Sequence, residues 1–93
     1  MQEFPNISSE SLAMAIALLE QNITARISEH GKHIHANNHE SLGIITEEYY
    51  ELIDATRRNN SAHIVEEMID VATGCIVGAA SIFMRRQEAE NDD

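Results

Sequence analysis

Four acidic residues in the second half of this sequence form two pairs of identical spacing, Glu48 with Glu51 and Glu67 with Asp70. Side chains three apart on an α-helix share a face, separated by about 4.5 Å of rise. The pairs are also symmetric about Asn59. A chain that folds back there sets Glu51 opposite Glu67 and Glu48 opposite Asp70. Packed helix axes lie about 8–10 Å apart, so four carboxylates can converge on one small volume. They would repel one another unless a cation is bound. Oxygen-only ligands suit a hard ion, magnesium or manganese, which keeps several waters and accepts phosphate oxygens as further ligands. Di-iron bundles need Glu-x-x-His pairs, and this sequence has none.

Positioning such a quartet requires two antiparallel helices. Asn37, followed three positions later by Glu40, resembles a capping box, and predicts a helix running to about Arg58 that buries Leu42, Ile45, Tyr49, Leu52 and Ile53. Glu48 and Glu51 flank that stripe beside Ile44 and Ala55. Asn59, Asn60 and Ser61 supply a turn and the next cap. The following helix, from about Ala62 to Gln87, is apolar around more than half its circumference, yet His63, Glu67, Asp70, Gly74, Gly78 and Ser81 share one polar or small face. Gly74 and Gly78 permit close approach of a helix. Before the hairpin, Leu12, Ile16, Leu19, Ile23 and Ile27 make a narrow stripe on an amphipathic helix, capped by Ser8 or Ser9 and stopped at Gly31. The expectation is an all-α domain over residues 1–87, an antiparallel hairpin plus an N-terminal helix, with 88–93 a frayed acidic tail. Two partner helices cannot easily cover so apolar a third, so the bundle should be completed by a homodimer or homotetramer.

Composition limits the partners. The chain has 93 residues, six Lys and Arg against sixteen Asp and Glu, and a formal net charge of −10. That balance repels nucleic-acid backbones and anionic membranes. A phosphate-bearing ligand would need a cation as intermediary. The uncharged run from Val71 to Met84 covers 14 residues, short of the roughly 20 that span a bilayer. The single Cys75 rules out an intrachain disulfide and, inside an apolar stretch, reads as a buried thiol in a reducing compartment. Met1 to Pro5 hold an acid and lack the basic start and apolar run of a secretory signal. These features predict a cytoplasmic protein.

Glu47-Glu48-Tyr49-Tyr50-Glu51, then fifteen residues, then Glu67-Met68-Ile69-Asp70 resembles the Glu-Glu-x-x-Glu plus Glu-x-x-Asp signature of the MazG-like all-α nucleoside triphosphate pyrophosphohydrolases. The resemblance covers roughly residues 38–84. It implies hydrolysis between the α- and β-phosphates of a nucleoside triphosphate to monophosphate and pyrophosphate, with Glu48, Glu51, Glu67 and Asp70 as ligands of Mg2+, for which Mn2+ could substitute. Glu47 or Glu48 would take the proton from the attacking water. The phosphoribosyl-ATP pyrophosphatases, relatives of similar length, usually carry lysines before the first acidic motif. Ser41 to Thr46 has none, which argues against that substrate. The alternatives are a binding module without turnover and a structural helical dimer with solvated acids.

Other polar residues offer weaker signals. His30, His33, His35 and His39 do not follow a zinc-ligand spacing, so the segment reads as a polar loop near the site, from which Lys32 or His35 touches phosphate. Arg57 and Arg58 end the second helix, where cations complement its dipole; phosphate contact is their alternative role. Tyr49 falls on the core stripe, whereas Tyr50 points outward to stack on a base or pack across a dimer.

Overall fold

The structure, a computed structural model, describes residues 6–29 and 34–91. The described chain is all-α, with helices α1 (Ser9–Glu29), α2 (Asn38–Arg58) and α3 (Ser61–Asn91). Short-range chemistry sets their ends. Ser8 caps α1, its Oγ accepting from the Ser11 amide at 3.0 Å. Asn37 adopts extended backbone, and its Oδ1 accepts from the Glu40 amide at 2.9 Å. At the other end of α2, Asn59 takes the left-handed conformation, φ 55° and ψ 39°, and its amide bonds Thr56. Asn tolerates that region better than most residues. Asn60 then caps α3 through Oδ1 to the His63 amide at 3.2 Å. The hairpin therefore turns in two residues, which fixes the α2–α3 register.

In that register Ile45 packs against Gly74, and Ser41 against Gly78. The line of α2 facing α3 runs through Ser41, Ile45, Glu48, Leu52 and Ala55. Ser41 and Ala55 are buried. The expected stripe was centred too far round the helix. Leu42 and Tyr49 lie about 100–120° from the Glu48 line at 100° per residue, and they are 63% and 53% exposed. Cys75, expected to be buried, is exposed, because it lies on the flank of α3 that neither other helix covers. α3 also runs past Gln87 through Asn91, so most of the segment expected to be a frayed tail continues the helix.

Both α1 and α2 pack on α3, while the α1 and α2 backbones do not approach one another. α3 is thus the central element. By length and composition it would pass for a membrane span over Ser61–Glu90, but it carries Glu66, Glu67 and Asp70 and receives both other helices, as the middle helix of a bundle does. The core is thin. Among the described residues Ala55 and Val77 are the buried hydrophobics, and Met68, Ile76 and Phe83 remain exposed along the free side of α3. The radius of gyration, 15.7 Å, exceeds the ~12 Å of a compact domain of this length.

Candidate active site

The hairpin brings the two acidic pairs together. Glu48 and Glu51 project from the middle of α2, Glu67 and Asp70 from the second and third turns of α3, and the charges of Glu51 and Asp70 reach both Glu48 and Glu67. Gly74 makes the meeting possible on one side: a Cβ there would stand 2.5 Å from Glu48 Oε1. Glu67 is buried, and its Oε1 accepts from His63 Nε2 at 3.0 Å, one turn back on α3. Burial pushes the Glu48 carboxyl above its ordinary range; the bond and charge of Arg26 oppose this, and Asp70 and Glu51 add to it. Burial likewise raises Glu67, against the hydrogen bond from His63 and with the charges of Glu51 and Asp70. These are the expected consequences of desolvation and like charge.

α1 supplies two residues absent from the sequence-based candidates. Arg26 Nη2 donates to Glu48 Oε2 at 2.7 Å and lies 3.6 Å from Asp70 Oδ1. Asn22, one turn earlier, donates to Asp70 Oδ1 at 3.1 Å and to Thr73 Oγ1 at 2.8 Å. Each directly precedes an apolar stripe residue, Ile23 or Ile27, so both occupy one edge of the packing face. The edge position that marked Glu48 and Glu51 on the second helix marks these two on the first.

A cleft of about 420 Å³ opens beside the acids, lined by Arg26, Ile27, His35, Ile44, Glu47, Glu48, Glu51 and Val77. Its acidic part is formed by three α2 glutamates, and its apolar part by Ile27, Ile44 and Val77. Glu47 is exposed on the wall. His35 lines the cleft but is 3% exposed: its amide donates to Ser81 Oγ at 3.0 Å, Nδ1 lies 2.7 Å from Ser41 Oγ, and its carbonyl accepts from Arg85. It clamps the start of α2 to α3. Arg57 and Arg58 lie at the far end of α2, six and seven residues beyond Glu51 or about 9–10 Å of rise, and Arg58 pairs with Asp54 at 3.1 Å. The structure does not bring these arginines to the cleft. Lys32, His30 and His33 lie outside the described residues. Tyr50 is 66% exposed on the outer side of α2.

Two observations bear on an ion. Glu48 Oε1 and Glu67 Oε2 are buried without a hydrogen-bond partner, an arrangement that costs free energy unless something binds there. Their chemistry fits a hard cation. Yet among the described residues no three His, Cys, Asp or Glu side chains are gathered closely enough to hold one as they stand; Arg26 bridges two of the acids instead.

A phosphoribosyl-ATP pyrophosphohydrolase family profile matches residues 16–78, a span that covers most of α1, all of α2, the hairpin turn, the first part of α3 and the four acids. The chain belongs to this family, a group of MazG-like all-α nucleotide pyrophosphohydrolases. The match falls on the branch whose substrate the lysine-free segment Ser41–Thr46 argued against; it rests on parts of α1 and α3 that this segment does not touch, and it shows the family and not the substrate. Comparison with curated proteins and with solved structures gives no match.

Proposed function

We propose that this protein hydrolyses the α–β phosphoanhydride of a nucleoside triphosphate, releasing the monophosphate and pyrophosphate, with Mg2+ held by Glu48, Glu51, Glu67 and Asp70. The observation that carries this reading is the pair of partnerless buried oxygens, Glu48 Oε1 and Glu67 Oε2, within a quartet that spans the hairpin at the edge of a cleft. When bound, the ion would offset triphosphate charge and acidify a water. Glu47 stands exposed on the cleft wall and suits proton acceptance better than Glu48, whose carboxylate the ion would take. Ile27, Ile44 and Val77 offer apolar surface to a nucleoside beside the acids.

The exposed side of α3, with Met68, Ile76 and Phe83, supports assembly with a second copy of this chain, because a lone chain leaves these residues in water. A large exposed apolar surface of this kind usually marks an interface.

The test is a panel of ribo- and deoxyribonucleoside triphosphates, with phosphoribosyl-ATP included because it contains the same bond, assayed with magnesium for monophosphate and pyrophosphate. Turnover of phosphoribosyl-ATP alone would narrow the substrate to that of the matching family. Release of orthophosphate and nucleoside diphosphate would contradict the assigned bond. Binding without turnover would make the protein a nucleotide-binding module.

A further inference from the structure

The acidic site contains a cation of the chain's own. Among the described residues Arg26 is the arginine that reaches the quartet, through a 2.7 Å charge-assisted bond to Glu48 and a 3.6 Å approach to Asp70, beside the His63 bond to Glu67. The other described arginines are engaged or placed elsewhere. Arg58 pairs with Asp54, Arg85 holds the His35 carbonyl and Asn38, and Arg86 lies over Phe83. Arg57 is exposed at the far end of α2. Arg26 is three-quarters buried in the pair, its side chain 24% exposed against 12% for Glu48, and charged hydrogen bonds shielded from water are strong ones. One guanidinium still leaves four carboxylates undercompensated, and Glu48 Oε1 and Glu67 Oε2 have no partner.

We propose that Arg26 is a resident counter-ion: a divalent cation must displace it from Glu48 and Asp70, and the displaced guanidinium then binds the phosphates of the substrate. This rests on the metal reading above. Glu48 Oε2 and Asp70 Oδ1 cannot be given fully to a guanidinium and to an ion at once, so the two cations compete. Arg26 also lines the cleft itself, so on leaving the carboxylates it remains beside the space the triphosphate would enter. A guanidinium fork matches phosphate oxygens as well as it matches carboxylate oxygens. Replacing a single positive charge by a double one therefore improves compensation of the quartet and hands a positive group to an anionic substrate, in a chain whose net charge of −10 otherwise repels it.

The two halves of this exchange predict effects of opposite sign. Mn2+ affinity is measured by calorimetry on the full chain, and α,β-methylene-ATP binding is then measured at saturating Mn2+, for the parent, Arg26→Met and Arg26→Lys. Arg26→Met is expected to bind Mn2+ about tenfold tighter, ~1.4 kcal/mol, and the analogue at least tenfold more weakly, with Arg26→Lys between the two on both scales. An arginine that only braces the fold would weaken both, and Mn2+ affinity unchanged or weakened in Arg26→Met overturns the exchange while leaving the metal site standing. If no variant binds Mn2+, the metal reading fails and the exchange with it. Should Arg26→Met not fold, the parent decides: its Arg26 Nε–H resonance, identified by its loss in Arg26→Lys, must shift as Mg2+ saturates the site. A resonance unmoved by saturating Mg2+ overturns the proposal.

Discussion

Gly74→Ala separates function from stability. In a helix interior alanine is favoured over glycine by about 0.8–1.0 kcal/mol, so on backbone grounds the variant should be more stable. The added Cβ, however, would stand 2.5 Å from Glu48 Oε1, whereas ordinary contact begins near 3.4 Å. The carboxylate must retreat by about 0.9 Å, and it can, because it ends a flexible side chain. A displacement of roughly 1 Å at a reacting centre costs on the order of 10²-fold in rate. The expected result is a melting temperature in chelator at or above the parent's, a smaller rise on adding magnesium, and pyrophosphate release reduced by about 10²-fold. Thermal melts with and without magnesium, beside a product assay, measure all three. Full activity in Gly74→Ala would refute the reasoning, since Glu48 would then be free to move without consequence. A collapse of stability would refute it differently, by showing that the Ile45 contact at 3.4 Å, and not the carboxylate, governs this position.

Glu51→Gln and Asp70→Asn should melt in chelator at or above the parent temperature, because each removes a charge from a repelling group. Both should lose the magnesium-dependent rise that linkage demands of a native-state ligand, and should lower pyrophosphate release by two or more orders of magnitude; outright unfolding would mean that these carboxylates are scaffold. The pH dependence has a definite sign. Burial first, then Glu51 and Asp70, hold Glu67 above its ordinary range, so its stabilising contribution is complete below the unfolded value near pH 4.3 and is lost as pH rises through the higher folded value. In chelator the parent should therefore gain stability on acidification from pH 7.5 toward 5, Glu67→Gln should gain less, and parallel melting curves for the two would count against the raised carboxyl. Sedimentation at micromolar concentration should find at least a dimer, and a compact stable monomer would require the exposed side of α3 to be covered from within the chain.

Local features of the fold were legible because their causes are local. Asn37 and Glu40 announce a helix start through one side-chain bond, and Asn59-Asn60 announces a turn because asparagine both tolerates positive φ and caps the next helix. The acidic quartet was legible for a related reason: a two-residue turn fixes the register of everything equidistant from it. What periodicity cannot reveal is which apolar flank faces the same chain. Leu42, Tyr49 and Cys75 belong to apolar segments, yet α3 meets α2 along the Ser41–Glu48–Ala55 line and leaves them in solvent. Arg26 and Asn22 were missed because the docking of α1 joins residues 44–51 positions apart, Asn22 to Asp70 and Thr73 and Arg26 to Asp70, and no turn ties that register to the sequence. The clamping role of His35, read from the sequence as a phosphate contact, escaped for a third reason. Its burial depends on the space left by Gly78, where a Cβ would lie 3.4 Å from Nδ1.

The thin core and the crowded acids have the same physical remedy. A lone chain without an ion buries two hydrophobic residues among those described and offsets four carboxylates with one guanidinium that bridges two of them and the His63 bond to Glu67, so the terms that normally offset chain entropy are weak where the electrostatic cost is high. An ion that binds only the folded quartet adds stability by mass action, and a second copy that binds only the folded α3 surface does the same. On the proposed reading the two would be coupled through α3, which carries Glu67 and Asp70 on one side and Met68, Ile76 and Phe83 along its free side. Fixing that helix in an assembly would favour the carboxylate geometry, and binding an ion would favour the helix. The sparse burial of the single chain thus follows from placing a charged site on the element that must also form the core.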